Sequence, residues 1–177
     1  MTNPRYFFAA LVLLLAGVTA RAFSDMTSGT WSITPSETPG QVRLEFSVAA
    51  PDRNFNSSSD VPLSSLGLTQ DQLNSSGQRV QFTLVREAGS FDCIGWASDG
   101  RAGGSDTFTP NHDFLAKMRA LGYDDISAEK QFTAATIDLT TAYASSIAAA
   151  GYPHLELGEL IAFRALRIDP AFIRSMH

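Results

Sequence analysis

From residue 110 onward the chain repeats itself every 29 residues, and a repeat of that length leaves few folds open. Phe114–Met118 recurs as Tyr143–Ile147 and again as Phe172–Met176. Gly122-Tyr123 recurs as Gly151-Tyr152, and Ile126, Phe132, Ile137 and Leu139 recur as Leu155, Ile161, Leu166 and Ile168. Asn111, Thr140 and Asp169 keep the same spacing, and each has a side chain that accepts a hydrogen bond from the free N–H groups of a helix start. Pro170, directly after Asp169, is a favoured first helical residue. The glycine suits the left-handed residue that stops a helix, with the tyrosine packing back on the last turn. Each unit therefore reads as a helical hairpin. Its first helix carries Phe114, Leu115, Met118 and Leu121 on one face, and its second lies near Glu129–Leu139 and Leu157–Ile168. One hairpin cannot bury its apolar face alone, so neighbours must stack. Two and a half copies are few for a solenoid, so the array is expected to pack against a sheet formed by the preceding residues or against a partner.

Before residue 110 the hydrophobic period is two. In Gln41–Val48, Val42, Leu44, Phe46 and Val48 share one face while Arg43, Glu45 and Ser47 take the other, as in a half-buried strand. Arg79–Leu84 repeats this with Val80, Phe82 and Leu84, and Ser90–Ala97 sets Phe91, Cys93 and Gly95 against Ile94 and Trp96. Asp99-Gly100 is a two-residue hairpin signal, and Arg101–Phe108 is the returning strand. Thr30–Thr34 is a first strand, turned by Pro35 and Pro39-Gly40. Residues 51–78 read as an exposed insertion: a polar loop over Asn54–Asp60, an edge strand over Val61–Leu66, and one helical turn capped by Thr69. The expected fold is α+β, a small antiparallel β meander over residues 23–109 followed by α-helical hairpin repeats of 29 residues over 110–177.

The first 22 residues read as a secretory signal peptide. Arg5 is the positive flank, Tyr6–Val18 is the apolar run, and Ala20-Arg21-Ala22 presents small residues at the positions a signal peptidase reads, giving cleavage after Ala22. The apolar run is short for a membrane span, so no span is expected after cleavage, and the mature protein is placed in the periplasm or outside the cell. Losing Arg5 and Arg21 takes the formal net charge from −5 to −7. So acidic a domain, lacking a basic stripe, is a poor match for a phosphate backbone, and nucleic acid is not an expected partner. The single cysteine, Cys93, excludes an internal disulfide and reads as a small buried hydrophobe.

The segment Phe114-x3-Met118-x3-Gly122-Tyr123, with Leu160–Arg164 and Asp169–Arg174, resembles repeats in the extracytoplasmic tails of bacterial membrane zinc metallopeptidases of the beta-lactam-sensor type. The strand pair Phe91–Phe108, with Gly95-Trp96 and Asp99-Gly100-Arg101, is similar to the β segment preceding those repeats, so the resemblance spans roughly residues 79–177. It implies an accessory binding or sensing module. The peptidase chemistry does not carry over, because zinc capture there needs two histidines four apart with a glutamate between them, and His112, His154 and His177 do not have that spacing.

No other chemistry is spelled out. The three histidines are too scattered for a shared metal site, and no metal ligand, cofactor site or catalytic residue is assigned. There is no nucleophile elbow, and the glycines of 100–104 suit a hairpin better than a phosphate loop. Arg164, Arg167 and Arg174 form at most a small basic face, with solvent-facing helix positions as the simpler account. Trp31 and Trp96 read as core or sheet-face aromatics in preference to a sugar platform. The expected function is a non-enzymatic interaction or sensing module of the bacterial cell envelope, binding a protein partner through the helical repeats, with no partner-binding residue assigned. A periplasmic small-ligand binding protein and an enzyme without a legible motif stay open beside it.

Overall fold

The computed structural model describes residues 28–50 and 53–175. The expected signal segment with its cleavage after Ala22, and His177, lie outside the described residues. Six strands form one antiparallel sheet: β1 (Ser28–Pro35), β2 (Gln41–Ala50), β3 (Arg53–Pro62), β4 (Gln78–Arg86), β5 (Gly89–Ser98) and β6 (Arg101–Pro110), in the order β3-β2-β1-β6-β5-β4. Between β3 and β4 come a 3-10 turn, Leu63–Leu66, and α1 (Gln70–Asn74). After the sheet follow α2 (His112–Ala120), α3 (Ala128–Thr136), α4 (Thr141–Ala149), α5 (Leu157–Ala165) and α6 (Pro170–Ser175). The fold is α+β.

The sheet is strongly curled. In a flat sheet β2 and β5 would lie about 14 Å apart, three inter-strand steps. Yet the rings of Phe46 and Phe91 stack at 4.3 Å between centroids, and Trp31 of β1 meets Phe82 of β4 edge-on at 4.9 Å across an equal number of strands. Glycines make this possible where the indole of Trp31 crosses β5 and β6. A Cβ at Gly95 would stand 2.1 Å from the Gly103 carbonyl oxygen and 2.8 Å from Cζ2 of Trp31. The concave face holds Ile33, Leu44, Phe91, Cys93 and Phe108, so the period-two alternation of the sequence becomes the inside and outside of a half-barrel.

Two plugs close the half-barrel. At the end marked by the Asp99-Gly100 turn, the 3-10 turn packs against β3 and β4, and α1 against β4, β5 and β6, burying Leu66, Leu68 and Leu73. Thr69 caps α1 in a reciprocal box with Gln72, as the sequence suggests. At the other end α3 lies on β3, β5 and β6 and drives Phe132 among Phe55, Phe91 and Phe108. Gln131, also on α3, is buried and donates from Nε2 to the carbonyl oxygens of Ala88 and Asn111, both at 2.8 Å. Sheet and helices therefore share one hydrophobic cluster.

Residues 53–78 correct the expectation that 51–78 is an exposed insertion. Asn54–Asp60 is not a loop but the middle of β3, paired with β2 along its whole length from Gln41↔Pro62 to Ala50↔Arg53. Val61 and Pro62 close that strand, and the chain then leaves the sheet for the 3-10 turn instead of running on as strand to Leu66. Serine has weak strand preference, and here the ladder to β2 overrides it.

The helices form two rows, α2, α4 and α6 against α3 and α5, with α2 on α4, α3 on α5 and α4 on α6. Asn111, Thr140 and Asp169 each accept a backbone N–H of the following helix, from Asp113, Tyr143 and Ala171. Glu87, in the β4–β5 turn, reaches the start of α4, accepting from the N–H and hydroxyl of Thr141 at 2.9 and 2.7 Å. At the end of α2, Gly122 has φ +93°, its N–H bonds Arg119 O and the Tyr123 N–H bonds Met118 O, as in a Schellman stop. Nothing lies within 4 Å of a Cβ built on Gly122, so Gly122→Val meets only backbone strain. It is expected to cost about 1–2 kcal/mol and to lower the thermal midpoint followed by circular dichroism; an unchanged melt would sink the helix-stop assignment.

Candidate functional site

Most residues singled out in the sequence do not converge. His112 is exposed at the first turn of α2 and His154 is exposed in the α4–α5 loop. Among the described residues no group of three or more histidine, cysteine or acidic side chains is placed to hold a metal ion. Cys93 is fully buried on β5, and burial, with the nearby charges of Asp106 and Asp92, pushes its thiol well above the ordinary range. The folded protein is therefore expected to resist iodoacetamide at pH 8 and to react fully once unfolded, a contrast that mass spectrometry reads directly. Trp31 belongs to the core, donating from Nε1 to Ser105 O, whereas Trp96 stands 63% exposed on the convex face between Arg79 and Gly103. The exposed indole is a sheet-face aromatic.

The three arginines near the C-terminal end do not act together. Arg174 is exposed on α6, while Arg164 and Arg167 line a groove of about 560 Å³ between β3 and the ends of α3 and α5. One wall is the run Phe55–Val61 of β3, an edge strand of the sheet. The other is helical, with Thr136, Ile137, Asp138, Ile161, Arg164 and Arg167, and Arg86 enters from the end of β4. The curl of the sheet brings the β4 end and the β3 edge, at opposite ends of the strand order, to one groove.

The electrostatics of this groove centre on Asp138. It has φ +57° in the stop of α3, where its N–H bonds Ala135 O and the Leu139 N–H bonds Ala134 O. Its carboxylate lies 3.6 Å from Arg86 Nε and 3.5 Å from an Arg164 terminal nitrogen, and its carbonyl accepts from Arg164 Nε at 3.0 Å. The Arg164 guanidinium also sits over the Tyr143 ring at 5.5 Å. Arg86 Nε is buried and, among the described residues, has no hydrogen-bond acceptor. Across the groove Asp60 is paired with Arg43 at 3.3 Å. One carboxylate thus serves two guanidiniums, and Arg167 adds a third cation in a protein whose net charge is −5. Sequence reasoning grouped Arg164, Arg167 and Arg174 by nearness in the sequence, and it missed Arg86 and the strand over Phe55–Asp60. The only local signal for that strand was the weak alternation Phe55, Ser57, Ser59, Val61.

Comparison with family models, curated proteins and solved structures found no match.

Among the described residues no helix is long and apolar enough to cross a membrane.

Proposed function

We propose that this protein is an exported, non-enzymatic interaction module of the bacterial cell envelope that holds a protein partner between its sheet and its helical layer. The observation that carries the reading is the groove: an edge strand faces two helix ends across an open channel, with cations on the wall opposite the strand. Its volume is within the ordinary range for small-ligand sites. However, it runs along Phe55–Val61 of β3 and is open to solvent, which suits a polymer better than an enclosed small molecule. The helix bounds support reading the α layer as hairpin repeats. Starts at His112, Thr141 and Pro170, and at Ala128 and Leu157, keep the 29-residue spacing of the sequence. The left-handed stops at Gly122 and Gly151, and at Asp138 and Arg167, keep it too. Such stacks present graded side-chain surfaces to partners. The signal-peptide reading of residues 1–22 and the resemblance to metallopeptidase tails support the envelope setting.

The test is to express the full-length protein with a C-terminal tag in a bacterial envelope, cross-link, and quantify what is retained by the wild type and by Arg167→Glu. A stoichiometric protein retained by the wild type and reduced at least about tenfold by the charge reversal is the expected result. No retained protein, or one insensitive to the groove variant, overturns the reading.

A further inference from the structure

The two walls of the groove ask for different things from an occupant. On β3, alternate N–H and C=O groups along Phe55–Val61 point away from β2, and no strand pairs with them among the described residues. Exposed edges are usually blunted by lysine, proline or a bulge. Between Phe55 and Val61 there is no lysine or proline, the ladder to β2 runs without a break, and the one charged residue, Asp60, is held by Arg43. This edge is open for pairing. The opposite wall offers cations: Arg86 and Arg164 share Asp138, Arg86 Nε lacks an acceptor among the described residues, and exposed Arg167 also lines the groove. A helical partner has already satisfied its own backbone and would leave the β3 edge unpaired. A lone phosphate would satisfy the arginines and leave the same edge unpaired. An extended peptide satisfies both.

We propose, resting on the reading that the groove holds a partner, that its occupant is an extended peptide segment that adds to β3 as a seventh strand and sets a carboxylate against Arg86, Arg164 and Arg167. Backbone pairing supplies affinity that tolerates many sequences, and alternate side chains enter between Phe55, Ile137 and Ile161. The carboxylate fixes register, because a guanidinium fork binds it with charge-assisted hydrogen bonds that a neutral group cannot match. That carboxylate comes either from the free C-terminus of the partner or from an aspartate or glutamate side group within it.

The experiment is calorimetric titration of the full-length protein with ten-residue peptides of alternating serine and valine. One ends in a free carboxylate, one is amidated with an internal glutamate, one is amidated and neutral, and one carries the carboxylate but is N-methylated at alternate backbone nitrogens. Tighter binding of either carboxylate peptide than the neutral one, by about tenfold, is expected, and the stronger of the two names the source. Loss of binding on N-methylation and an about tenfold weakening by Arg167→Glu complete the expectation. Equal affinity for all four peptides, or no saturable binding by any, overturns strand addition. If the cross-linked envelope protein is still lost with Arg167→Glu but is not displaced by any peptide, the strand proposal fails while the partner reading stands. Loss of the partner signal altogether takes both.

Discussion

Phe132→Ala is expected to destabilise the protein by about 3–5 kcal/mol, the upper range for removing a buried aromatic ring. The ring is 1% exposed and meets Phe55, Phe91 and Phe108 edge-on at 5.5, 5.4 and 5.2 Å between centroids. Those three partners belong to β3, β5 and β6, so Phe132 is where α3 grips the curled sheet. Truncation leaves a cavity lined by the three partner rings, and a close-packed aromatic cluster collapses only in part. Urea denaturation measures the loss. A cost below about 1 kcal/mol would mean that helices and sheet are not docked as described. Since the groove lies between α3 and β3, the variant is also expected to weaken partner capture at protein concentrations where it is still folded.

Asp106 is expected to make the protein less stable as pH rises from 4 to 7. Its side chain points inward from β6, opposite Gly29 on one neighbour and Cys93 on the other, and is 3% exposed. Among the described residues neither carboxylate oxygen has a hydrogen-bond partner. Burial raises its pKa from 3.8 to about 6. The neutral acid is therefore favoured in the folded state. Below the unfolded value both states are protonated and no penalty applies. Between 3.8 and about 6 the unfolded chain ionises first, and stability falls; above that the loss stays constant. The shift corresponds to about 3 kcal/mol at most. Asp106→Asn removes the charge but leaves an amide without partners, so the expected gain at pH 7.5 is smaller, about 1–3 kcal/mol. The measurement is the difference in unfolding free energy between wild type and variant at pH 4 and pH 7.5. A difference that does not shrink at pH 4 would show that the charge of Asp106 is not what destabilises the fold.

Much of the local structure was legible. The alternation in Gln41–Val48 and Ser90–Ala97 named the buried faces of β2 and β5, because a strand in a one-sided sheet must alternate. Asp99-Gly100 named its hairpin, because that turn needs positive φ at both central residues, and they have +54° and +76°. Asn111, Thr140 and Asp169 named helix starts, because orphan N–H groups need nearby acceptors. Each of these is a demand that a few consecutive residues meet by themselves.

What the sequence alone determined, then, is the period and punctuation of the protein: strands that alternate, helices with caps and stops, and a buried cysteine. The tertiary structure alone decided that Asn54–Asp60 is a strand, since a serine-rich run becomes extended only when a neighbour such as β2 satisfies its backbone. It also decided the groove. Arg86, Asp138 and Arg164 are far apart in the sequence and carry no common spacing; they meet because the sheet curls over Gly95 and because Phe132 fixes α3 on its concave face. Such contacts depend on how surfaces distant in sequence fit together, and that fit is a property of the packed whole and not of any stretch of sequence.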